Sequence, residues 1–432
     1  MGPKDTIFAL STPRGKSAIA VFRISGLKSH KIIKKISSNK KVITNKTYLN
    51  YIFSTNKSPI DQTLTTYFKS PKSFTGEDMV EISCHGSHAV IKKISKELIK
   101  NSLRIAEPGE FTRRALENDK LDLTKVEALA DLINANTEKQ RELALSNLEG
   151  TLSNYSLNLS IKLKKLLANV EAIIDFVDED LPINIRNNII EQNKNIIQSI
   201  EKTIKASTFA DSIRNGFIIS VIGKPNTGKS LFVNQISGRD VSIVTNIPGT
   251  TTDLIESLVE IKGYQFRFID TAGIRKHKNS IEKIGIMKTL ELSKKSDLNI
   301  VFLKNTEKKQ YKNIKNKIFV KSKQDLRNYP LKNKEILDIS SKTGYGINKL
   351  LNKIINILIS KNQNEIPIIS RERQLLKVKK CLNHLKSFNL KKNIDMAADD
   401  IRSAIKETEE IYHKFDIEEI LDIIFNDFCI GK

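Results

Sequence analysis

Residues 217–230, FIISVIGKPNTGKS, decide the fold. An apolar run from Phe217 to Ile222 leads into G-x-x-x-x-G-K-S at Gly223 to Ser230, and the amphipathic stretch LFVNQIS follows. A strand, a glycine-rich loop and a helix in that order make a phosphate loop. Its glycines let backbone N–H groups converge on phosphate oxygens, and the helix N-terminus adds its positive end. In such a loop Lys229 neutralises the β- and γ-phosphates and the Ser230 hydroxyl ligates Mg²⁺. Outward from it, from 214 to about 360, strand-like and helix-like patterns alternate as a parallel sheet with crossover helices requires.

Three further segments stand at the order and spacing of a guanine-nucleotide switch. TNIPGTTTD (245–253) offers Thr250 and Thr251, one of which could reach Mg²⁺ and the γ-phosphate. FRFIDTAGI (266–274) is an apolar strand ending in Asp270, placed to hold the metal through water, with Gly273 near the γ-phosphate. IFVKSKQDL (318–326) carries Asp325 to accept from the guanine edge and Lys323 to lie over the ring, and ISSKTG (339–344) offers a backbone contact to the guanine oxygen. The candidate GTP-binding set is therefore Asn226, Thr227, Gly228, Lys229, Ser230 and Leu231, then Thr245, Asn246, Ile247, Pro248, Gly249, Thr250 and Thr251. Asp270, Thr271, Ala272, Gly273, Lys323 and Asp325 complete it. The base-reading segment departs from the usual Asn-Lys-x-Asp or Thr-Lys-x-Asp. It reads Ser322-Lys323-Gln324-Asp325, and a serine cannot span as an amide does, so reduced guanine affinity is expected, with Asp325 preserving specificity.

Many GTPases place a water-orienting glutamine after Asp-Thr-Ala-Gly; here Ile274 stands there and can neither donate nor accept. Another polar group must position water and another cation must take the arginine-finger role. Arg275, Glu282 and Asn226 are the candidates, Asn226 with loop carbonyls forming a cage for a monovalent cation. The competing reading of Glu282 is a solvated helix residue.

Composition bounds the rest. The 432 residues, 39% hydrophobic and 28% charged, suffice for two or three domains with cores of their own. No run approaches the roughly 18 apolar residues of a membrane helix, and the first residues lack a signal-peptide layout, so a cytoplasmic protein is expected. MGPKDT matches a short acylation pattern through Gly2 and Thr6. Cys84, Cys381 and Cys429 form neither a disulfide framework nor a zinc motif. The net charge of +23 suits a nucleic-acid partner or plain lysine-rich drift, since neither aromatic interleaving nor a basic tail accompanies it.

Before the α/β unit, IFAL and AIAVFRI read as strands split by a Thr-Pro-Arg-Gly turn, and DMVEISCHG as another. RGKS at 14–17 is only a turn, because Leu10 stands where a phosphate loop needs glycine. Cys84 and His85, adjacent on a strand, face opposite ways and make a poor dyad. Helical periodicity begins near 119, with Thr124 and Glu127 as a capping box and Val126, Leu129, Ala130 and Ile133 at apolar spacing, and continues to about 207. It returns in the last 60 residues, where Asp416 with Glu419 reads as a cap. The α/β unit is thus inserted between two helical stretches.

FRISG, SFTGEDMVEISCHG, GEFTRRALENDKLDLTKVEALADLI, GKPNTGKSLFVN, NIPGTTTD, IDTAGIR, IEKIG and IFNDFCIGK together resemble the MnmE (TrmE) family of tRNA-modification GTPases, in order and over essentially the whole chain. The resemblance implies a multidomain α+β and α/β fold. An N-terminal α/β dimerisation and folate-binding domain (1–118) is followed by a discontinuous helical domain (119–210 and 369–432) and an inserted P-loop GTPase domain (211–368). It implies a potassium-stimulated GTPase, a homodimer, that with the flavoprotein MnmG modifies carbon 5 of the wobble uridine of certain tRNAs, using a reduced folate. Carried over by motif, Asn226, Thr245, Ile247 and Thr250 would surround K⁺, and Ser230 and Thr251 would hold Mg²⁺. Glu282 would be the catalytic residue acting through water, with Arg275 unassigned. Arg23, Glu81, Lys120 and Lys432 would line the folate pocket. Thr252 stands in the switch loop where the family usually has arginine, a departure that bears on the hydrolysis rate.

Cys429, fourth from the end, fits a prenylation box poorly: Gly431 is not aliphatic and Lys432 is an unusual last residue. Gly431 instead lets the tail turn so that Lys432 reaches a neighbouring surface, with the role of Cys429 open. Two other classes compete. A ribosome-assembly or RNA-scaffold GTPase would carry a separate RNA-binding module, and a membrane-remodelling GTPase a lipid-binding segment; neither is evident.

Overall fold

The computed structural model describes residues 5–39, 41–175, 184–238, 255–270, 291–304, 308–327, 335–359, 367–390, 394–412 and 431. The chain divides into two compact units. One gathers Met1–Ala130, Leu148–Leu157 and Glu409–Lys432, and the other gathers Asp131–Asn147 and Asn158–Thr408.

The first unit is built on strands β1 (Ile7–Leu10), β2 (Ser17–Ser25), β3 (Thr47–Phe53), β4 (Pro59–Phe68), β5 (Met79–Gly86) and β6 (Arg104–Ile105). They form one sheet in the order β3-β4-β5-β2-β1-β6, antiparallel except for the β1–β6 pair. Helices α1 (Ser29–Ile36), α2 (His88–Lys100) and α3 (Glu110–Glu117) are interleaved with them. Alternation along β2 and β5 sends Ala20, Phe22, Ile24, Val80, Ile82 and Cys84 into one core with Ile33, Ile94 and Leu98. Each large side chain removed from water there contributes about 1.5–3 kcal/mol. The same two-residue period leaves Arg23 and Glu81, paired in register, on the opposite face.

Helix α4 (Leu123–Ile133) starts earlier than a Thr124 capping box predicts. Asp122 Oδ1 accepts the Lys125 amide at 2.9 Å and its carbonyl accepts the Val126 amide at 3.0 Å, so Asp122 is the cap. An ionised carboxylate serves the free N–H groups and the positive helix end better than a hydroxyl. Thr124, inside the first turn, donates to Asp122 at 2.6 Å and lies 2.7 Å from the Ser153 hydroxyl. Helices α5 (Glu138–Leu148), α6 (Thr151–Asp175) and α7 (Ile185–Asn215) follow. The last runs past the expected end near 207, and Gly216, at φ +82°, stops it one residue before the next strand.

The second unit carries strands β7 (Phe217–Gly223), β8 (Ile255–Ile261), β9 (Tyr264–Asp270), β10 (Leu298–Phe302), β11 (Lys317–Lys321) and β12 (Ile336–Asp338), with α8 (Lys229–Ser237) and α9 (Ile347–Leu358). Their order is β12-β11-β10-β7-β9-β8, parallel throughout except for the β8–β9 hairpin. Both faces are covered, so β10 is buried along its whole length and β7 nearly so, which is why they read as unbroken apolar runs. Phe217, Ile219, Phe232, Phe266, Phe268, Ile300 and Ile354 share one core.

Helices α10 (Glu372–Ser387) and α11 (Ile394–Glu409) follow the α/β sheet. Helix α10 packs on α7, where Asn193 Nδ2 donates to the Leu385 carbonyl at 3.1 Å. The helices before and after the α/β unit thus come together, as its insertion between them requires. Asp131 Oδ1 accepts both Arg214 Nε at 2.8 Å, where the chain enters the sheet, and Arg371 Nη2 at 2.7 Å, where it leaves. The Asp416–Glu419 cap lies outside the described residues.

Candidate functional site

The phosphate loop sits between the C-terminal end of β7 and the start of α8, the place where parallel α/β sheets hold ligands. Its conformation depends on backbone angles that side chains disfavour. Asn226 lies at φ +60° and Gly228 at φ +91°. A Cβ on Gly223 would fall 2.5 Å from the Phe302 carbonyl of β10, so only glycine lets the loop leave the sheet there. Lys229, 5% exposed, donates from Nζ to the carbonyls of Gly223 at 2.9 Å and Lys224 at 3.0 Å. The ammonium is thereby drawn back across the loop. Thr227 Oγ1 donates to the Lys224 carbonyl at 2.8 Å and braces the same turn.

Below the loop, Ser230 Oγ donates to Asp270 Oδ2 at 2.6 Å. Asp270 ends β9 and is fully buried, so a hydroxyl from α8 and a carboxylate from the neighbouring strand meet although forty positions separate them. Two hard oxygens so placed suit Mg²⁺, which takes few protein ligands and keeps several waters.

The base loop follows β11. Lys323 adopts φ +61°, and Gln324 N donates to the Ile339 carbonyl at 3.0 Å. Ser340, fully buried, donates from Oγ to Asp325 Oδ1 at 2.6 Å. That bond is the main reason the Asp325 carboxyl titrates below the ordinary aspartate range. Ser322 Oγ donates to the Thr227 carbonyl, so the residue that departs from the usual motif ties the base loop directly to the phosphate loop. Arg327 Nη2 holds the Ser322 carbonyl at 3.2 Å and pairs with Asp338. The sequence motifs give no side-chain role to Ser340 or Arg327, and they give Ser322 only as a shortened base reader. Ser340 stands inside ISSKTG, whose serines a motif reading passes over for their backbone; the reach of Ser322 to Thr227 has no sequence signal, because 95 positions separate them.

In the first unit, Arg23 Nε donates to Glu81 Oε1 at 2.8 Å, and the guanidinium lies 5.9 Å from the Phe74 ring centroid. Lys120 crosses the same loop: a Cβ on Gly76, at φ +77°, would stand 3.3 Å from Lys120 Cε. Gly431 lies against the end of β1. Ser11 Oγ donates to the Gly431 carbonyl at 3.0 Å, and Gly431, at φ +105°, would place a Cβ 2.8 Å from Ser11 Cα. Ser11 continues β1, in which Ala9 pairs with Arg23. Cys84 is buried, its thiol pushed up to about 11 chiefly by burial, while His85 is exposed and bonded through Nδ1 to Asp61 at 2.8 Å. The two side chains face apart and form no dyad. Residues 245–251 and 271–273, with Arg275, Glu282, Cys429 and Lys432, lie outside the described residues.

Phosphate loop, hydroxyl–carboxylate pair and braced base loop together define a P-loop GTPase domain. Residues 6–120 match the family described as GTP-binding protein TrmE N-terminus, and residues 123–429 match the MnmE helical domain. The tRNA modification GTPase MnmE of Fervidobacterium nodosum is 40% identical over 455 residues, covering 99% of this chain and 98% of its own. Its counterpart in Pelagibacter ubique is 41% identical over 451 residues, covering 99% and 100%. The G domain of the T. maritima FeoB iron transporter is 23% identical over 33% of this chain and 98% of that one, with a TM-score of 0.24. The chain belongs to the MnmE family of tRNA modification GTPases. Among the described residues, no helix is long and apolar enough to cross a membrane.

Proposed function

We propose that this chain is a potassium-stimulated GTPase that acts with the flavoprotein MnmG on tRNA. Together they add a carboxymethylaminomethyl group to carbon 5 of the wobble uridine (U34), using a reduced folate. The observation that carries the nucleotide part is the Ser230–Asp270 contact at 2.6 Å directly under the phosphate loop. In this reading Lys229 releases the Gly223 and Lys224 carbonyls and turns to the phosphates, where its charge is worth more. Ser230 with Thr251 holds Mg²⁺, which when bound neutralises charge developing on the β- and γ-oxygens. Asn226, Thr245, Ile247 and Thr250 surround K⁺, and Glu282 positions water where Ile274 cannot. Asp325, already ionised and held by Ser340, accepts from the guanine edge, with the Lys323 stem over the ring.

The folate part is supported by the Arg23–Glu81 pair beside Phe74, by Lys120 lying against Gly76, and by Gly431 turning at Ser11, one residue before Lys432. A carboxylate suits the donor edge of a pterin and basic residues suit an anionic tail. The working assembly in this reading is a homodimer in the cytoplasm, joined to MnmG. The domains would then be 1–118, a helical domain of 119–210 with 369–432, and a G domain of 211–368.

Two measurements test the proposal. Mass spectrometry of wobble nucleosides from cells lacking this protein should show loss of the uridine modification; an unchanged profile refutes the tRNA role. Hydrolysis should be faster in KCl than in NaCl, and equal rates refute the potassium mechanism.

A further inference from the structure

A guanine seated with its donor edge on Asp325 turns two acceptors, O6 and N7, toward the rest of the site. O6 falls to the 339–344 loop, which also grips Asp325 through Ser340. N7 lies on the side nearer the phosphates, where Ser322 stands between the base loop and Thr227. Reading N7 requires a donor, and a serine hydroxyl has a single proton. That proton points at the Thr227 carbonyl, an acceptor that can only receive it. The Ser322 carbonyl, taken by Arg327, is no donor either. Gly228 shows how tightly the hydroxyl is seated: a Cβ there would stand 2.7 Å from Ser322 Oγ.

We infer that Ser322 is a positioning residue that locks the base loop to the phosphate loop and leaves guanine N7 unread, so that this protein does not distinguish GTP from its 7-deaza analogue. The inference rests on the guanine site proposed above and concerns how that site selects its base. An amide at 322 would have two donors, one for Thr227 and one for N7.

The test is equilibrium binding of GTP and 7-deaza-GTP to the full chain, to Ser322→Asn and to Ser322→Ala, with Mg²⁺ present. For the native chain the two affinities should agree within about twofold, because a contact that does not exist cannot be lost. Ser322→Asn should prefer GTP by about threefold to tenfold, the worth of one net hydrogen bond. Ser322→Ala should weaken both nucleotides by a similar factor and leave their ratio at one, the mark of a positioning role. A native preference for GTP above about fivefold overturns the inference while leaving the guanine site standing. Absence of saturable GTP binding by the native chain overturns both.

Discussion

Replacing Gly228 with alanine tests the coupling of the two loops most directly. The residue sits at φ +91°, where a side chain costs about 1–2 kcal/mol. Its new Cβ would stand 2.7 Å from Ser322 Oγ, so the serine must turn away and its bond to Thr227 is lost. That bond is worth about 1 kcal/mol net. Together the two effects come to about 2–3 kcal/mol, or about 30- to 150-fold in affinity if the loop must hold this shape to bind. Titration with a ribose-labelled fluorescent GDP measures it. The decisive comparison is the double variant Gly228→Ala/Ser322→Ala. With the hydroxyl gone, the nearest atom at 322 is its Cβ at 3.4 Å, an ordinary contact. The double variant should therefore bind no worse than Gly228→Ala alone, an interaction of about 1 kcal/mol between the sites. If the two single effects simply multiply, or if Gly228→Ala weakens binding less than threefold, the reasoning about the tie is wrong.

Other outcomes follow from the same contacts. Asp325 titrates below the ordinary aspartate range because Ser340 donates to it, so it is ionised at neutral pH and is protonated only as pH falls through that lowered value; if it is the guanine acceptor proposed above, guanine affinity should not change through it between pH 5 and 8. Ser340→Ala frees the carboxylate and should weaken GTP binding about threefold to tenfold in the same titration. Arg114, 6% exposed on its side chain, holds Glu77 at 3.0 Å and Glu110 at 2.9 Å. Arg114→Met removes the cationic partner of Glu77, which keeps only neutral donors such as Ser25, while Glu110 keeps Arg104 at 2.6 Å; the first unit should be destabilised, by about 1–3 kcal/mol, read as faster amide exchange in β1 and β2. Burial lifts the thiols of Cys84 and Cys381 to about 11, so both should resist iodoacetamide at pH 8 until the chain unfolds, as peptide mass spectrometry would show. Their protonated burial supports the fold fully below pH 9, the ordinary thiol value, and less as pH climbs toward about 11.

Local chemistry made much of this protein legible as a string. Glycines at 223 and 228 must take backbone angles that side chains oppose, apolar runs such as FIISVI must be covered on both faces, and GKS carries an ammonium and a hydroxyl, the groups that suit phosphate and metal. Each of these is set by a few neighbouring residues, so motif and periodicity expose it. The cap of α4 shows the limit even locally: the sequence pattern points to Thr124, and the folded backbone puts Asp122 there instead. What tertiary structure decided is which distant atoms share a proton. Ser230 meets Asp270 because β7 and β9 are parallel neighbours, and Asp131 joins Arg214 to Arg371 because the sheet is inserted between them. The motif gives Ser322 as a shortened base reader; that its hydroxyl also braces Thr227 is visible only in the folded chain. A hydroxyl has one proton to give, and only the folded chain brings it to the carbonyl that receives it.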